Sequence, residues 1–346
     1  MKANLLNTSR FGSACLQTLV GAALVCSLIL ASGCCSSSSS KTTEAFSTIY
    51  VTGGGNVETF PLAATGNVAP TTNISGEIDE TYIFDDAHRT AIDSSGNIYV
   101  TDLGANSVDI FAAGATGNVA PTKTISGTNT GLCRPSGIAL DSTGKIYVSN
   151  QYSEEETCTG YTITVYAAGA TGNATPIQTI SGANTGLDEP NGLALDSNNN
   201  IYVANEDSST VTVYAATATG NVAPTTTIGG AATGIEYPHA VALDTAGNIY
   251  VTNPDTPSVT VYAAGATGNA TPKATISGTS TGLVHPNGIA VDTTGKIYVV
   301  DISADIDGNY GAVFVYAAGA NGNVAPTATI GGPLTLIDDA HGVSLH

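Results

Sequence analysis

One tripeptide, Ile-Tyr-Val, recurs six times along the chain and constrains the fold more than any other feature. The copies start about 48 residues apart, at Ile49, Ile98, Ile146, Ile201, Ile249 and Ile297. Each copy is followed by an aromatic residue, then a Gly-Asn pair and a proline. A fixed period of this length is typical of repeat architectures, so the body of the chain is an array of similar units.

Each repeat contains four short runs of residues that favour β-strands, as in residues 240–276 of the fifth repeat. Asp244 and Gly247 predict a tight turn between the first two runs, because Asp initiates type I turns and glycine tolerates positive φ. A proline opens the fourth run, which places that strand at an exposed sheet edge. Four strands per repeat predict the blades of a propeller.

The two ends of the chain supply the parts of one blade. The first repeat starts at Ser47 without an inner strand, and the last segment, 338–345, resembles the inner-strand segment 85–92. We therefore expect an all-β, six-bladed β-propeller of four-stranded blades, with the first blade closed by the C-terminal strand. Residues 46–346 are predicted to form this single domain.

The first 45 residues have a different character. Two basic residues precede an apolar run at 16–30 that is too short to span a membrane, which indicates a signal peptide. The sequence Leu-Ala-Ser-Gly-Cys ending at Cys34 resembles a bacterial lipobox, whose cysteine becomes an acylated N-terminus. The alternative is cleavage nearby by an ordinary signal peptidase. Residues 1–33 are thus predicted to be a lipoprotein signal peptide, and residues 34–45 a flexible Ser-rich tether.

A lipid anchor at Cys34 implies export to the bacterial cell envelope and attachment to the membrane through acyl chains such as palmitate. Cys35, rather than aspartate, follows the anchor and favours the outer membrane or the cell surface.

Charge excludes one class of partner. The formal net charge is −19, and removal of residues 1–33 takes away two of the nine basic residues and none of the 28 acidic ones, which gives −21. Binding to nucleic acid needs clustered Lys and Arg, whereas the remaining basic residues are scattered. We expect no nucleic-acid partner, and instead a monomer whose acidic surface binds a protein, a glycan or a cation.

The repeat resembles a known family. Residues 286–301 read Pro-x-Gly-Ile-Ala-x-Asp-x-x-Gly-x-Ile-Tyr-Val-x-Asp, and this pattern, which recurs over about 300 residues, is similar to the NHL repeat. Tyr250 to Asn253 also spells the signature of the related YVTN surface-protein propellers. Both resemblances imply a β-propeller. Neither implies one activity, because such propellers include lyases, lactonases and binding platforms.

One polar residue near the start of each predicted inner strand is expected to point toward the mouth of the central channel. From the first blade to the sixth, these residues are His341, His88, Ser136, Asn191, His239 and Asn287. In the peptidylglycine lyase propellers that the repeat resembles, zinc-binding histidines follow a proline at this position. Only His239 follows a proline here, whereas His88 and His341 follow alanine.

The resemblance leaves two cations open. Imidazole ligands suit zinc, so His88, His239 and His341 are candidate metal ligands, whereas carboxylate and carbonyl ligands suit calcium. Lactonases of the related SMP-30 group use Glu, Asn and Asp around a divalent cation, and Glu189, Asn191 and Asn287 are similar to that set. The alternative is a polar ring without a metal, with Ser136, Asn191 and Asn287 as binding residues. No catalytic residue is assigned.

Acidic residues crowd the loops that are expected on the mouth face, where the alternative to a cation or partner site is a solvated surface. They are Asp85, Asp86, Glu154, Glu155, Glu156, Asp188, Glu189, Glu206, Asp207, Glu236, Asp305, Asp307, Asp338 and Asp339.

Two cysteines are expected on this same face. Cys133 lies in the loop that enters the third blade, and Cys158 lies in a loop inserted in that blade. An oxidising compartment favours a disulfide between them, and two free thiols are the alternative.

Two classes of function remain. The first is a binding or scaffold propeller that uses its acidic loop face, and the second is a metal-dependent lyase or lactonase at the channel mouth. The sequence lacks a Gly-x-Ser-x-Gly elbow, a His-Glu-x-x-His pair and a phosphate-binding loop. Near-identical blades also leave few residues for an asymmetric catalytic site, so the sequence favours binding.

Cys34→Ser is expected to abolish acylation and to release the protein from the membrane, because stable partition needs two or more acyl chains. Metabolic labelling with a tagged fatty acid, followed by membrane fractionation, measures both effects. Cys35→Ser is the matched control and should keep the label. A Cys34→Ser variant that still carries label would contradict the anchor.

Overall fold

The computed structural model describes residues 46–78, 81–152, 158, 160–302 and 310–346. The predicted signal peptide, Cys34, the Ser-rich tether, Glu154 to Glu156, Asp305 and Asp307 lie outside these ranges. Within them, no helix is long and apolar enough to cross a membrane.

The described residues form short strands. The first are β1 (Thr48–Gly53), β2 (Asn56–Pro61) and β3 (Thr72–Ile74), and then a small hairpin of β4 (Glu77–Ile78) and β5 (Thr81–Tyr82). Blade 2 has β6 (Ala87–Ile92), β7 (Ile98–Asp102), β8 (Ser107–Phe111) and β9 (Lys123–Ile125). Blade 3 has β10 (Pro135–Leu140), β11 (Ile146–Asn150), β12 (Thr162–Tyr166) and β13 (Gln178–Ser181).

The remaining blades repeat this plan. Blade 4 has β14 (Pro190–Leu195), β15 (Ile201–Asn205), β16 (Thr210–Tyr214) and β17 (Thr226–Gly229). Blade 5 has β18 (Val241–Leu243), β19 (Ile249–Asn253), β20 (Ser258–Tyr262) and β21 (Ala274–Ser277). Blade 6 has β22 (Pro286–Val291), β23 (Ile297–Asp301), β24 (Ala312–Tyr316) and β25 (Ala328–Gly331), and the chain ends with β26 (Ala340–Leu345).

Strand order closes the ring. Blades 2 to 6 are built from consecutive strands, whereas blade 1 has the order β26-β1-β2-β3, with Ile49 opposite Leu345. The outer strand of each blade also forms a parallel bridge to the next blade, and the series ends where Ile330 of blade 6 meets Gly66 of blade 1. The predicted fold is confirmed. In the described ranges the chain is an all-β ring of six four-stranded blades, and the C-terminal strand completes the first.

Aspartates form the turns between the first and second strands of the blades. In blade 2, an Asp93 side-chain oxygen accepts hydrogen bonds from the backbone N–H groups of Ser95 and Asn97, at 2.8 and 2.9 Å. Asp141, Asp196, Asp244 and Asp292 accept equivalent bonds. These carboxylates lie on the face of the ring opposite the channel mouth, which we call the turn face. They are occupied in holding turns rather than in chemistry.

Each interface between neighbouring blades has its own apolar core. The aromatic residue that closes each third strand is fully buried there. In blade 3, the Tyr166 hydroxyl donates a 2.7 Å hydrogen bond to the Thr130 carbonyl, and the tyrosines of blades 4 to 6 repeat the contact. Burial of these rings therefore leaves no unpaired hydroxyl, which is the usual condition for a buried tyrosine.

A disulfide joins Cys133 to Cys158, as the sequence predicts. Their Cα atoms are 6.0 Å apart, and 25 residues separate them in the chain. The bond ties the inserted loop of blade 3 to the loop that enters this blade.

Two buried carboxyl groups depart from the repeat at one position of the third strand, Glu58 in blade 1 and Asp109 in blade 2. Glu58 in β2 is 1% exposed, and Thr164, Thr212 and Thr260 take its place in blades 3 to 5. Among the described residues its Oε1 atom has no hydrogen-bond partner. Burial raises the pKa of Glu58 to about 9, although hydrogen bonds from its own backbone and Asn56 act in the opposite direction. Glu58 is therefore protonated at neutral pH.

This protonation predicts a pH dependence of stability. The pKa of Glu58 is higher in the folded state than its ordinary value of 4.5, so its contribution is complete below pH 4.5 and is lost as the pH rises toward 9. The free energy of unfolding should fall by up to roughly 1.4 kcal/mol per pH unit in this window. Urea denaturation between pH 5 and 8 measures the slope. Glu58→Gln should flatten it, whereas the exposed control Glu236→Gln should not, and equal slopes in all three proteins would contradict the assignment.

Candidate functional site

The six predicted channel residues surround one end of the central channel. Each is the second residue of its inner strand, except His239, which lies two residues before the start of β18. Four of the side chains are buried, and those of His239 and His341 are 16% and 17% exposed. We call this set, with its connecting hydrogen bonds, the polar ring. It consists of His88, Ser136, Asn191, His239, Asn287 and His341.

Hydrogen bonds link neighbours around the polar ring. The Ser136 hydroxyl donates to Asn191 Oδ1 at 2.8 Å and lies 3.1 Å from His88 Nδ1. Asn287 Nδ2 lies 3.2 Å from His341 Nδ1. The rings of His88 and His341 stack with their centroids 4.6 Å apart. Burial, together with the charges of His341 and Arg89, holds the pKa of His88 well below 6.5, so His88 is neutral.

The centre of the polar ring is filled by Arg89, a residue that the sequence analysis did not single out. It is 7% exposed, and its guanidinium donates to the amide oxygens of Asn191 and Asn287 at 3.0 and 3.1 Å. It also donates to the backbone carbonyls of His239 and His341 at 2.9 and 3.0 Å. One side chain from blade 2 therefore contacts blades 1, 4, 5 and 6.

Arg89 replaces hydrogen bonds that two blades cannot make. In blades 1, 2, 3 and 5, a Thr or Ser hydroxyl of the second strand donates to the carbonyl of the ring residue in the next blade. Blades 4 and 6 have Ala204 and Val300 at this position, which carry no hydroxyl. The carbonyls of His239 and His341 in the next blades therefore lack this donor. Both carbonyls accept from Arg89, and that of His239 also accepts from the Gly192 N–H at 2.8 Å.

A signal for Arg89 is present in the repeat. The equivalent positions in the other blades are Gly137, Gly192, Ala240, Gly288 and Gly342. A Cβ atom at Gly192 would lie 2.9 Å from the His239 carbonyl oxygen, and one at Gly288 would lie 2.8 Å from the His341 carbonyl oxygen. Neighbouring inner strands approach too closely there for an ordinary side chain, so a large residue in this column marks a special site.

A carboxylate and an imidazole meet at the edge of the polar ring. Glu206 Oε1 lies 3.4 Å from His239 Nε2, and Asn191 Nδ2 donates to Glu206 Oε2 at 3.0 Å. Burial alone would raise the pKa of Glu206, but the bonds from His239 and Asn191 and the charges of His239 and Arg89 lower it overall. Glu206 is therefore ionised. His285, whose ring centroid is 5.8 Å from that of His239, extends this pair toward blade 6.

The histidines do not converge on one point. His88 is stacked and hydrogen-bonded, His239 contacts Glu206, and His341 Nε2 lies 3.5 Å from Asp339. Among the described residues, no group of three or more His, Cys, Asp or Glu side chains is placed to hold a metal ion. Binding of zinc or calcium at the mouth stays a prediction that the geometry of these residues does not favour.

Carboxylates on the surrounding loops lie close to one another. We call them the acidic rim, which consists of Asp86, Asp188, Glu189, Glu206, Asp207 and Asp339. Burial and the neighbouring charge of Asp207 raise the pKa of Asp188, and burial, Glu206 and Asp207 raise that of Glu189. In Asp86, burial and then the charges of Asp339 and Asp102 have the same effect, against the opposing charge of His341. Like charges at the rim therefore repel one another.

The ring of blades with a polar mouth defines the protein as a β-propeller. Residues 30–277 match the model of a family described as lactonase, seven-bladed β-propeller. This match covers most of the 346 residues, so the chain belongs to this family, although its described residues form six blades. No curated protein matches the sequence.

Solved structures share the fold at low sequence identity. A protein of unknown function from Bacteroides caccae has a TM-score of 0.62 and 10% identity, over 87% of this chain and 99% of that one. A chain of the nidogen/laminin complex has a TM-score of 0.57 and 16% identity, over 86% and 98%. A functionally unknown protein from Desulfotomaculum acetoxidans has a TM-score of 0.54 and 14% identity, over 86% and 98%. These similarities establish the fold alone.

Arg89→Met is expected to destabilise the protein. Burial lowers the pKa of Arg89 to about 10 from 12.5, a cost of roughly 3 kcal/mol that methionine would remove. Three of the four contacts share the two protons of Nη2, so about three full hydrogen bonds are lost, and at roughly 1.5 kcal/mol or more each their loss outweighs this relief by at least about 1 kcal/mol. Urea denaturation measures the difference, and the exposed control Lys123→Met should change stability by less than about 0.5 kcal/mol.

A second substitution tests whether Arg89 stabilises the protein by donating to a carbonyl that lacks a hydroxyl donor. Val300→Thr supplies the hydroxyl that blade 6 lacks, and in the Arg89→Met background it should recover roughly 1 kcal/mol by donating to the His341 carbonyl. In the wild type, where that carbonyl already accepts from Arg89, the same change should give no gain. Equal effects in both backgrounds would contradict the replacement of that hydrogen bond by Arg89.

Proposed function

We propose that the protein is a binding or scaffold propeller of the bacterial cell envelope, which recognises a positively charged protein or glycan through its acidic rim. One observation carries the proposal. Arg89 fills the channel at the level of the polar ring, and four of its hydrogen bonds join blades on opposite sides. The mouth is thus a shallow surface with a fixed floor, which suits docking on the rim rather than entry of a substrate.

The electrostatics of the rim support a cationic partner. Burial raises the pKa values of Asp188 and Glu189, and the nearby negative charge of Asp207 raises both further. A bound Lys or Arg would relieve this repulsion, and complementary charge increases both specificity and the rate of association. The proposed partner is therefore basic, and nucleic acid is not among the candidates.

The position of the first described residue also supports recognition at the acidic rim. Phe46, the first described residue, lines a cavity with Asp196 and Asp244 on the turn face. If Cys34 carries the lipid, the propeller is attached to the membrane through the segment that precedes Phe46, a residue that lies on the face opposite the acidic rim. We accordingly propose an outer-membrane or cell-surface lipoprotein with NHL-type blades that acts as a monomer. The nidogen/laminin structure, which contains a propeller of this fold in a protein complex, is consistent with such a role.

The test compares two triple variants. Asp188→Asn/Glu189→Gln/Asp207→Asn removes the charge, and Asp188→Glu/Glu189→Asp/Asp207→Glu keeps it. Binding of a fluorescent lysine-rich peptide, measured by anisotropy at several salt concentrations, should weaken roughly tenfold in the first variant and remain near wild type in the second. The acetylated peptide is the negative control. Equal affinity of all three proteins would show that the rim is not the binding surface.

A lactonase is the second candidate, favoured by the family and by the contact of Glu206 with His239 at the mouth. An ionised carboxylate that orients an imidazole can assist attack of water on an ester. This candidate ranks second because His239 Nδ1, the nitrogen opposite the Glu206 contact, is buried without a partner among the described residues. Activation of water would need His239 to leave Glu206.

Hydrolysis of a panel of lactones separates the two candidates. For a lactonase, wild type should hydrolyse at least one member, and both His239→Ala and Glu206→Gln should reduce the rate by 10²-fold or more, the range expected for loss of a general base. His285→Ala, which keeps the contact of Glu206 with His239, is the control. Metal content measured beside activity tests a dependence on zinc or calcium. If no lactone of the panel is hydrolysed, the lactonase hypothesis is wrong.

A further inference from the structure

A small cavity lies in the central channel next to Arg89. Its volume is about 60 Å³, and its walls include Arg89, Thr90 and the aliphatic residues that follow the polar ring along the inner strands. One water molecule needs roughly 10–15 Å³ of such space. The cavity is therefore large enough for a monoatomic ion with a few waters, and too small for an organic ligand.

The charge of Arg89 lacks a carboxylate partner in the described ranges. The ion pairs found there within 4.0 Å both involve histidines, and the four groups that accept from Arg89 are neutral amide and backbone oxygens. Asn191 accepts from Arg89 and donates to Glu206, so the negative charge of Glu206 reaches Arg89 without a direct hydrogen bond. Burial still lowers the pKa of Arg89 overall. A buried cation without a counterion is costly, so the site favours an anion.

Two hydrogen-bond donors remain for such an anion. Arg89 Nε is buried without a partner among the described residues, although the other guanidinium nitrogens donate into the polar ring. Thr90 and Ser344 share one hydrogen bond of 2.7 Å between their hydroxyls. Only one of the two protons is used in that bond, so the second hydroxyl can donate elsewhere.

These three residues are departures from an otherwise regular repeat. The position of Thr90 is aliphatic in every other blade, where it is Ile138, Leu193, Val241, Ile289 or Val343. The position of Ser344 is alanine in every other blade. Arg89 stands in a column of glycine and alanine. Three independent polar replacements thus lie at one place in the ring.

We propose that this cavity binds a small monovalent anion such as chloride, held by the Arg89 guanidinium and by the Thr90 hydroxyl, whose proton is free for the anion when Ser344 donates to Thr90. The anion neutralises the buried charge of Arg89 and thereby stabilises the floor of the mouth beneath the acidic rim. The site is separate from the proposed partner surface and does not depend on it.

Crystals of the wild-type protein soaked in sodium bromide provide the direct test. Bromide scatters anomalously, so an anomalous peak in the cavity within hydrogen-bonding distance of Arg89 Nε is the expected result. Density without an anomalous signal would identify ordered water and overturn the proposal.

Thermal unfolding provides the second test, with chloride, bromide and gluconate compared at constant ionic strength. Wild type and the control Lys123→Met should show a saturable rise in Tm with halide, as expected for a ligand that binds the folded state. Thr90→Val restores the aliphatic residue of the other blades and should weaken the apparent halide affinity roughly tenfold, the effect of one lost hydrogen bond to a charged group. Arg89→Met should abolish the halide effect. If Arg89→Met does not fold, the weaker halide affinity of Thr90→Val alone tests the site. A wild-type Tm that is the same in all three salts would contradict the site.

Discussion

The ring depends on one contact that is repeated at every blade boundary. The outer-strand isoleucine of each blade pairs with the Gly-Asn turn of the next, and the turn's asparagine packs on a glycine of the preceding blade. At Gly278, with φ of 110°, a Cβ atom would lie 2.8 Å from the Asn323 side chain. In five of the boundaries this asparagine also accepts a backbone N–H from the loop that it covers. The regularity of the sequence follows from this contact, because each blade must present the same turn to one neighbour and the same glycine to the other.

A closed ring brings the inner strands together, and this convergence produces the functional surface. Close approach requires a small residue, mostly glycine, beside the polar ring. In most blades the backbone carbonyl of the ring residue accepts a hydrogen bond from a second-strand hydroxyl of the preceding blade. Blades 4 and 6 lack the hydroxyl that serves as this donor in the other blades, and Arg89 donates to both carbonyls from across the channel, joined at His239 by the Gly192 N–H of blade 4. Asymmetry in the mouth thus arises from two missing hydroxyls, at Ala204 and Val300, and from the single side chain that replaces them.

The regular part of the structure could be predicted from the sequence and the irregular part could not. Strand number per blade, closure by β26 and the Cys133–Cys158 bond all follow from local patterns or from comparing the two chain ends. The contacts of Arg89 depend on which blades face each other across the ring, and no local pattern contains that information. The clue lay in the alignment of the repeats, where a large or charged residue stands in a column of small ones. Family membership was also reached only in part, since the repeat resembles NHL propellers and the matching family is described as seven-bladed.

The mouth combines two fields of opposite sign, and their order decides what can bind. Carboxylates at the rim attract a cation from solution, whereas the guanidinium of Arg89 lies below them and repels it. A positively charged group is therefore drawn to the rim and kept out of the channel, while a small anion that reaches the channel is stabilised beneath the guanidinium. A ligand that entered the channel would have to pass this reversal of sign and to displace a side chain bonded to four blades. A partner that docks on the loops meets only the attractive field, which is the physical reason to place recognition at the rim.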